Sequence, residues 1–255
     1  MKSLRNALRI LDAFSLQRPV WGVRELSQYS GLSPSVVQRA LAAFRDGGFL
    51  QQCPQRKRYE PGARFWEYGQ IFRSRLRLDD VIARELRALA DASGETAWFT
   101  VLDNEQALCV QVAQSARDVI IAIRSGERTP LSLGSRGKVM LAFMPPALRE
   151  RQIGQVTSPA AQRRLHDALA TIKRQGWWLS RGERLENVTG LSVPLFNAGG
   201  EVFASLTLGG PTSRPPEKVT MSHFPALLTA RRAIAACWFP APQSATMCWR
   251  PAACR

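Results

Sequence analysis

The stretch "LSQYSGLSPSVVQRALAAFRDGGFL", Leu26–Leu50, sets two helical patterns side by side with only Gly31-Leu32-Ser33 between them. Val23, Leu26 and Tyr29 mark one face of the first helix. Val36, Val37, Ala40, Leu41 and Phe44 mark one face of the second. Pro34 falls in the first helical turn, where a missing N–H does no harm, with Ser33 as the cap. Gly47-Gly48 ends the pattern. A turn this short holds two helix axes at a steep angle, so one helix can cross a phosphate backbone while the other enters a groove. An ordinary helical corner carries the same pattern, and the flanks must decide between the two.

Upstream, Ser3 opens a helix whose inward face is Leu4, Ala7, Leu8, Leu11 and Phe14, stopped at Arg18-Pro19. Downstream, "FLQQCPQRKRYEPG" (Phe49–Gly62) reads as two short strands joined by a basic turn. Helix, helix-turn-helix and β-wing together make a winged helix-turn-helix. On its second helix, Ser35, Val36, Gln38, Arg39 and Ala42 face away from Val37, Leu41 and Phe44. Gln38 and Arg39 can donate to base edges, Ser35 and the cap Ser33 can bond phosphate or base, and Val36 can meet a thymine methyl. Arg56, Lys57 and Arg58 on the wing suit phosphates or the minor groove. The expected partner is double-stranded DNA.

Charge supports that placement. The chain of 255 residues carries 35 Lys+Arg against 20 Asp+Glu, a net +15. Residues 1–75 hold 13 basic and 5 acidic side chains, so the excess is about threefold denser there than in the rest. With 45% apolar residues there is material for real cores, and the length allows two domains. No apolar run approaches the roughly 18 residues of a membrane span. Arg5, Arg9 and Asp12 interrupt what would be the core of a signal peptide, which predicts a soluble, cytoplasmic protein. Cys53, Cys109, Cys237, Cys248 and Cys254 form no CxxC pair, and only His166 and His223 could join them. No metal site and no cofactor are expected.

From Glu95 the period changes. "TAWFTVLD", "ALCVQVAQ" and "VIIAIR" read as strands, the first two turned back at Asn104-Glu105. At period two, only one of Trp98 and Phe99 is expected to face inward. "SRGKVMLAFM" and "AAQRRLHDALATIKRQ" read as helices, the latter ended by Gly176. "GLSVPLF" and "EVFASLTLGG" form a second hairpin across Asn197–Gly200, and "PPEKVTMSHFPALLTARRAIAACW" a closing helix with Pro225 awkward inside it. The residues from Phe239 onward have no periodicity and are expected to be disordered. There is no internal repeat.

"LRNALRILDAF", "VRELSQYSGLSPSVVQRALAAFRDGGFL" and "RKRYEPG" resemble the N-terminal domain of the IclR family of bacterial transcriptional regulators. "RTPLSLGSRGKVMLAF" and "QGWWLSRGERLENVTGLSVPLFNAGGEVFASLTLGGP" resemble its effector-binding domain. The resemblance runs from Ser3 to about Trp238. It implies an α+β two-domain protein, with an N-terminal winged helix-turn-helix (1–62), a helical linker (63–80) and a C-terminal GAF-like α/β effector-binding domain (81–238), leaving a tail at 239–255. It further implies a homodimer or homotetramer on a repeated or palindromic operator, and a small organic acid as effector. The apolar residues of Leu4–Phe14 and of Ala63–Leu76 are the expected dimer contacts. Carried over motif by motif, the effector contacts fall on Ser135, Arg136, Ser180, Gly190, Thr207 and Gly209.

Three features depart from the family pattern. Pro34 and Val36 stand where relatives usually carry a basic residue and a threonine. Arg136 takes a slot generally small or apolar, and the tail looks foreign. Arg136 has two ways to avoid the cost of an unpaired buried charge. It can point outward into solvent, or pair inside with an acidic side chain or a ligand carboxylate.

No catalytic constellation is legible. "GSRGK" (Gly134–Lys138) lacks phosphate-loop spacing and is followed by Val139. Ser180, Glu183 and His166 supply triad residue types without a nucleophile elbow. An enzyme acting on an anionic metabolite is the alternative reading. A purely architectural DNA binder would leave the strand-rich second half unexplained.

Overall fold

A computed structural model describes residues 2–15, 18–53, 57–75, 79–117, 121, 123–213 and 221–238. The expected tail from Phe239 therefore lies outside the described residues. The chain forms two compact units, Met1–Leu76 and Arg77–Arg255.

The first unit holds α1 (Lys2–Leu11), α2 (Val23–Ser30), α3 (Pro34–Asp46), an antiparallel hairpin of β1 (Leu50–Cys53) and β2 (Arg58–Pro61), and α4 (Arg64–Arg75). Gly31 ends α2 at φ 68°, a left-handed conformation that suits glycine, and its N–H bonds Ser27 O at 2.9 Å. Ser33 stands at the cap position of α3 with extended backbone, but its hydroxyl contacts Ser35 Oγ at 3.2 Å and makes no cap bond. Ile10, Ala13, Trp21, Leu26, Val37, Leu41, Leu50 and Tyr59 close the core. Trp21 ties the wing to the helices, exchanging backbone hydrogen bonds with Tyr59 and donating its indole N–H to Ala13 O at 2.9 Å. The expected inward face of α1 is corrected. Ser3 lies inside the helix, Ile10 is its buried residue, and Leu4 and Leu8 are 64% and 51% exposed. Trp21 and Leu26 fill the centre, so α1 packs by its C-terminal end.

The second unit is built on a six-stranded antiparallel sheet, order β5-β4-β3-β8-β7-β6. Its strands are β3 (Thr96–Asp103), β4 (Gln106–Ala113), β5 (Arg128–Pro130), β6 (Trp178–Arg181), β7 (Val188–Phe196) and β8 (Val202–Pro211). The helices are α5 (Asp79–Ser93), α6 (Gly134–Leu141), α7 (Pro146–Gly154), α8 (Pro159–Gln175) and α9 (Phe224–Trp238). Helices α5 and α9 pack on each other and on the central strands, and α6 covers β6, β7 and β8. Residues of both strand registers are buried, so the sheet is covered on both faces. Trp98 and Phe99 are accordingly both buried, but on opposite faces of the sheet, so only Trp98 shares the face of Thr207, as period two requires.

Two further expectations are corrected. Of the expected strand "VIIAIR", Val119, Ile120 and Ala122 lie outside the described residues; Ile121 and Ile123 belong to no strand, Ile123 N–H bonds Ile121 O at 3.0 Å, and both side chains cluster with Trp98 and Cys109. The third strand is Arg128–Pro130 instead. The closing helix begins at Phe224, which puts Pro225 in its first turn, where proline fits. Helix α7 and strand β6, both too short to show a period, were not legible.

Leu41 is fully buried at the centre of the first core. Leu41→Ala should lower the stability of that unit by roughly 2–5 kcal/mol, read as a shift of the urea midpoint with unchanged slope.

Candidate functional site

Two surfaces gather the residues singled out by sequence. In the first unit, Ser33, Ser35, Gln38 and Arg39 are exposed along one side of α3, with Val36 half-buried among them. The opposite side of the helix carries Val37 and Leu41 into the core. One helix thus spends its apolar face on folding and leaves its polar face to solvent. Gln38 is steadied by donating to Tyr59 Oη at 3.2 Å. Lys57 is exposed at the wing turn; Arg56 lies outside the described residues. A groove of about 470 Å³ runs between the start of α2, α3 and the wing, lined in part by Arg24, Glu25, Gln38 and Lys57.

Arg58 behaves differently from the expected free phosphate donor. Its Nη2 donates to both oxygens of Glu25, at 2.6 and 2.9 Å, and Arg18 Nη2 donates to the same carboxylate at 3.0 Å. Partial desolvation pushes Glu25 upward, but hydrogen bonds from Arg18 and the Gly22 N–H and the charges of Arg58 and Arg18 hold its carboxyl below the usual range. Glu25 also sits on the first turn of α2, where an acid favours the helix. Sequence reading passed over it because the pairing partner is 33 residues away.

In the second unit, the N-terminus of α6 meets the polar register of the sheet. Ser135 N–H donates to Ser180 Oγ at 3.2 Å, and Ser180 Oγ donates to Gly190 O at 3.4 Å. Ser192 Oγ donates to Ser135 Oγ at 2.8 Å and lies 2.7 Å from Thr207 Oγ1. Gly190 stands where a Cβ would come within 2.9 Å of Ser135 Oγ, so a side chain there would crowd the hydroxyl that Ser192 holds. Ser135, Ser180, Gly190 and Thr207 are therefore brought together. Gly209 joins them as the register partner of Gly190 on β8, where a Cβ would run into Thr189 O, the Trp98 ring and the Gly190 Cα.

Arg136 is 3% exposed, which overturns the outward arrangement. Its Nε donates to Thr129 Oγ1 at 3.2 Å, Nη2 stands 3.7 Å from Glu127 Oε1, and both Nη atoms are buried without a hydrogen-bond partner. Burial pushes its pKa down, with the nearby Cys109 acting the other way, yet a guanidinium holds its proton far above neutral pH. Glu127 is also paired by Arg184. Cys109 beside them is buried, and desolvation pushes its thiol up to about 11 in spite of the two arginines. Sequence reading missed Ser192, Thr129, Glu127, Arg184 and Cys109. Ser192 alone carried a signal, standing two residues from Gly190 on one strand and so on the same face.

The sequence matches two family models: the IclR helix-turn-helix domain over residues 3–54, and the bacterial transcriptional regulator IclR C-terminal domain over residues 72–236. The chain belongs to the IclR family of bacterial transcriptional regulators. It is 27% identical over 221 residues to the HTH-type transcriptional regulator XynR of Escherichia coli, covering 84% of this chain and 88% of that protein. Among solved structures, an IclR transcriptional regulator from Silicibacter sp. TM1040 superposes with a TM-score of 0.84 at 22% identity, over 91% of this chain and 94% of that one. An IclR homolog from Microbacterium hydrocarbonoxydans, complexed with 4-hydroxybenzoate, gives 0.79 at 22% identity, over 92% and 98%. These two likenesses show the fold. Among the described residues no helix of this IclR-family chain is long and apolar enough to cross a membrane, and no group of three or more His, Cys, Asp or Glu could hold a metal ion.

With its thiol near 11, about a thousandth of Cys109 is thiolate at pH 8. Iodoacetamide at that pH should modify the exposed Cys237 and spare Cys109 until urea is added, as peptide mass spectrometry would show. Equal labelling of the two in the folded protein would contradict the burial described.

Proposed function

We propose that this regulator binds double-stranded operator DNA by laying α3 in the major groove, and that a small organic acid bound beneath α6 modulates that binding. The division into a DNA-binding domain at 1–62, a linker at 63–80 and an effector domain at 81–238 goes with this reading. The observation that carries it is the two-sidedness of α3, with a fully buried apolar face opposite an exposed row of Ser33, Ser35, Gln38 and Arg39. Arg39 is the strongest candidate for reading a base, since a guanidinium can bond guanine twice. Lys57, Arg56 and Arg58 are assigned to phosphates, Arg58 by exchanging Glu25 for the backbone. On the effector side, the arrangement of Ser135, Arg136, Ser180, Gly190 and Thr207, with Gly209 paired opposite Gly190, supports a ligand with a carboxylate. That a homolog of the same fold is complexed with 4-hydroxybenzoate favours an aromatic acid.

A winged helix reads one half-site, so a symmetric operator calls for two copies of the chain. Leu4, Leu8, Phe65, Trp66 and Ile71 are exposed large apolar side chains of the first unit, and we assign them to the contact between copies. Trp66→Glu should then shift the full chain toward monomer in sedimentation at micromolar concentration.

Arg39→Ala should cost about 1–3 kcal/mol at the specific operator and relax sequence preference at one position. Alanine at Arg56, Lys57 and Arg58 together should weaken binding to all DNA and flatten its salt dependence. Equal losses on specific and non-specific DNA in both variants would overturn the division of labour. For the effector, a panel of organic acids should include one that raises the melting temperature of the full chain and changes operator affinity, a saturating ligand stabilising by about 2.7 kcal/mol at a hundredfold its dissociation constant. A panel in which no acid does either would overturn the effector half of the reading.

A further inference from the structure

Beneath α6, charge and hydrogen-bonding demand do not balance. Arg136 and Arg184 meet there at Glu127, and Lys138 of the same helix is paired elsewhere, all three largely removed from solvent. Lys138 pairs with Glu183 at 2.5 Å, and that carboxylate also accepts the Trp178 indole N–H at 3.2 Å. Arg136 and Arg184 are left to share one carboxylate. Arg184 pairs with Glu127 Oε1 directly, while Arg136 Nη2 stands 3.7 Å from the same oxygen. Among the described residues, Glu127 is the one carboxylate within 4.0 Å of either guanidinium. Two guanidinium groups thus face one carboxylate, and the surplus positive charge sits on Arg136, whose two Nη atoms make no hydrogen bond. A buried charge with unmet donors is costly, and an anion that accepts from both Nη atoms relieves both costs at once.

The neighbours of Arg136 define the rest of the ligand. Glu127 O accepts the Cys109 N–H at 2.9 Å, which places Cys109 beside this ion pair. Thr100 stands opposite both Cys109 and Ser205 in the sheet register, so these three side chains share one face. Trp98 and Thr207 lie on that face too, one pair along. Thr100 Oγ1, Ser205 Oγ and Trp98 Nε1 are buried without a hydrogen-bond partner. Trp98, Cys109, Ile121 and Ile123 also form a closed apolar cluster. The face therefore offers one cationic fork, an apolar wall and a few neutral polar atoms.

Resting on the effector reading above, we propose that this site selects organic acids bearing a single negative charge, with Arg136 chelating the carboxylate and Glu127 setting the limit of one. A flat apolar body lies against Trp98 and the isoleucines, and a hydroxyl or keto group meets Thr100 or Ser205. A second carboxylate on the ligand has no cation left to meet, because Glu127 already holds Arg184. It would instead add a like charge to an enclosed site, which opposes binding strongly. A phosphate dianion brings the same excess, and the planar guanidinium fork suits a carboxylate. Glu127 is thus a specificity-determining residue that acts through the two arginines.

The test compares three probes on the full chain by titration calorimetry: benzoate, terephthalate and the neutral isostere benzamide. Benzoate should bind, with terephthalate and benzamide each weaker by about tenfold or more. Glu127→Gln keeps the shape of the side chain and one acceptor oxygen but frees one more positive charge. In that variant the preference for benzoate over terephthalate should fall by about tenfold, while benzamide stays weak. Terephthalate binding as well as benzoate to the unaltered chain, or a ratio unmoved by Glu127→Gln, would overturn the charge limit and leave an acid effector standing. Absence of binding by benzoate and by every other acid of the panel above would remove the effector reading, and this proposal with it.

Discussion

A guanidinium cannot shed its proton at neutral pH, and that of Arg136 lies 3% exposed between α6 and the sheet. Much of the second unit follows from accommodating it. The sheet face under α6 carries Ser180, Ser192, Ser205, Thr207, Thr100 and Cys109, whereas the alternate register carries Leu191, Val193, Leu206, Leu208 and Phe99. A strand with leucine on both faces would seal a two-sided apolar core but leave the cation with nothing to face. Alternating hydroxyl and hydrocarbon lets one sheet do both, with α5 and α9 packed on the strands and α6 over the polar row.

The same electrostatic device occurs in both units. Glu25 is shared by Arg18 and Arg58, and Glu127 by Arg136 and Arg184. In each case one carboxylate lies between two guanidinium groups at the place proposed to meet an outside anion, a DNA phosphate in one and a ligand carboxylate in the other. The settings differ in strength. Glu25, Arg18 and Arg58 are each more than a third exposed, where water screens such pairs strongly and exchange for a phosphate is easy. The Arg136 pair is enclosed, and there an unmatched charge weighs on selectivity.

The hydroxyl network around Ser135 has a backbone consequence. Strand β7 can approach the start of α6 closely because Gly190 has no Cβ, and Ser180 on β6 accepts the Ser135 N–H that the helix itself cannot satisfy. Three strands and a helix terminus are thereby locked at one point. The family match over residues 72–236 spans all of these elements.

Periodicity determined most of the architecture by itself: the two helices around Gly31, the wing, the hairpins turned at Asn104-Glu105 and Asn197–Gly200, and the exposed row on α3. These features are local, since a repeat of 3.6 or 2 residues and a glycine or proline at its end suffice to set them. Where the pattern was short or ambiguous, packing decided. Leu4 and Leu8 keep the helical period yet lie exposed, because the core was already filled by Trp21, Leu26 and Ile10. Ile121 and Ile123 have strand propensity but pack in a cluster with Trp98. The motif did mark Arg136, but whether it faced solvent or interior depended on Thr129, Glu127 and the sheet beneath it. Arg58 and Glu25, or Arg184 and Glu127, are dozens of residues apart in the chain. No local pattern records such pairs, because only the closure of the strands and helices brings their charges within reach.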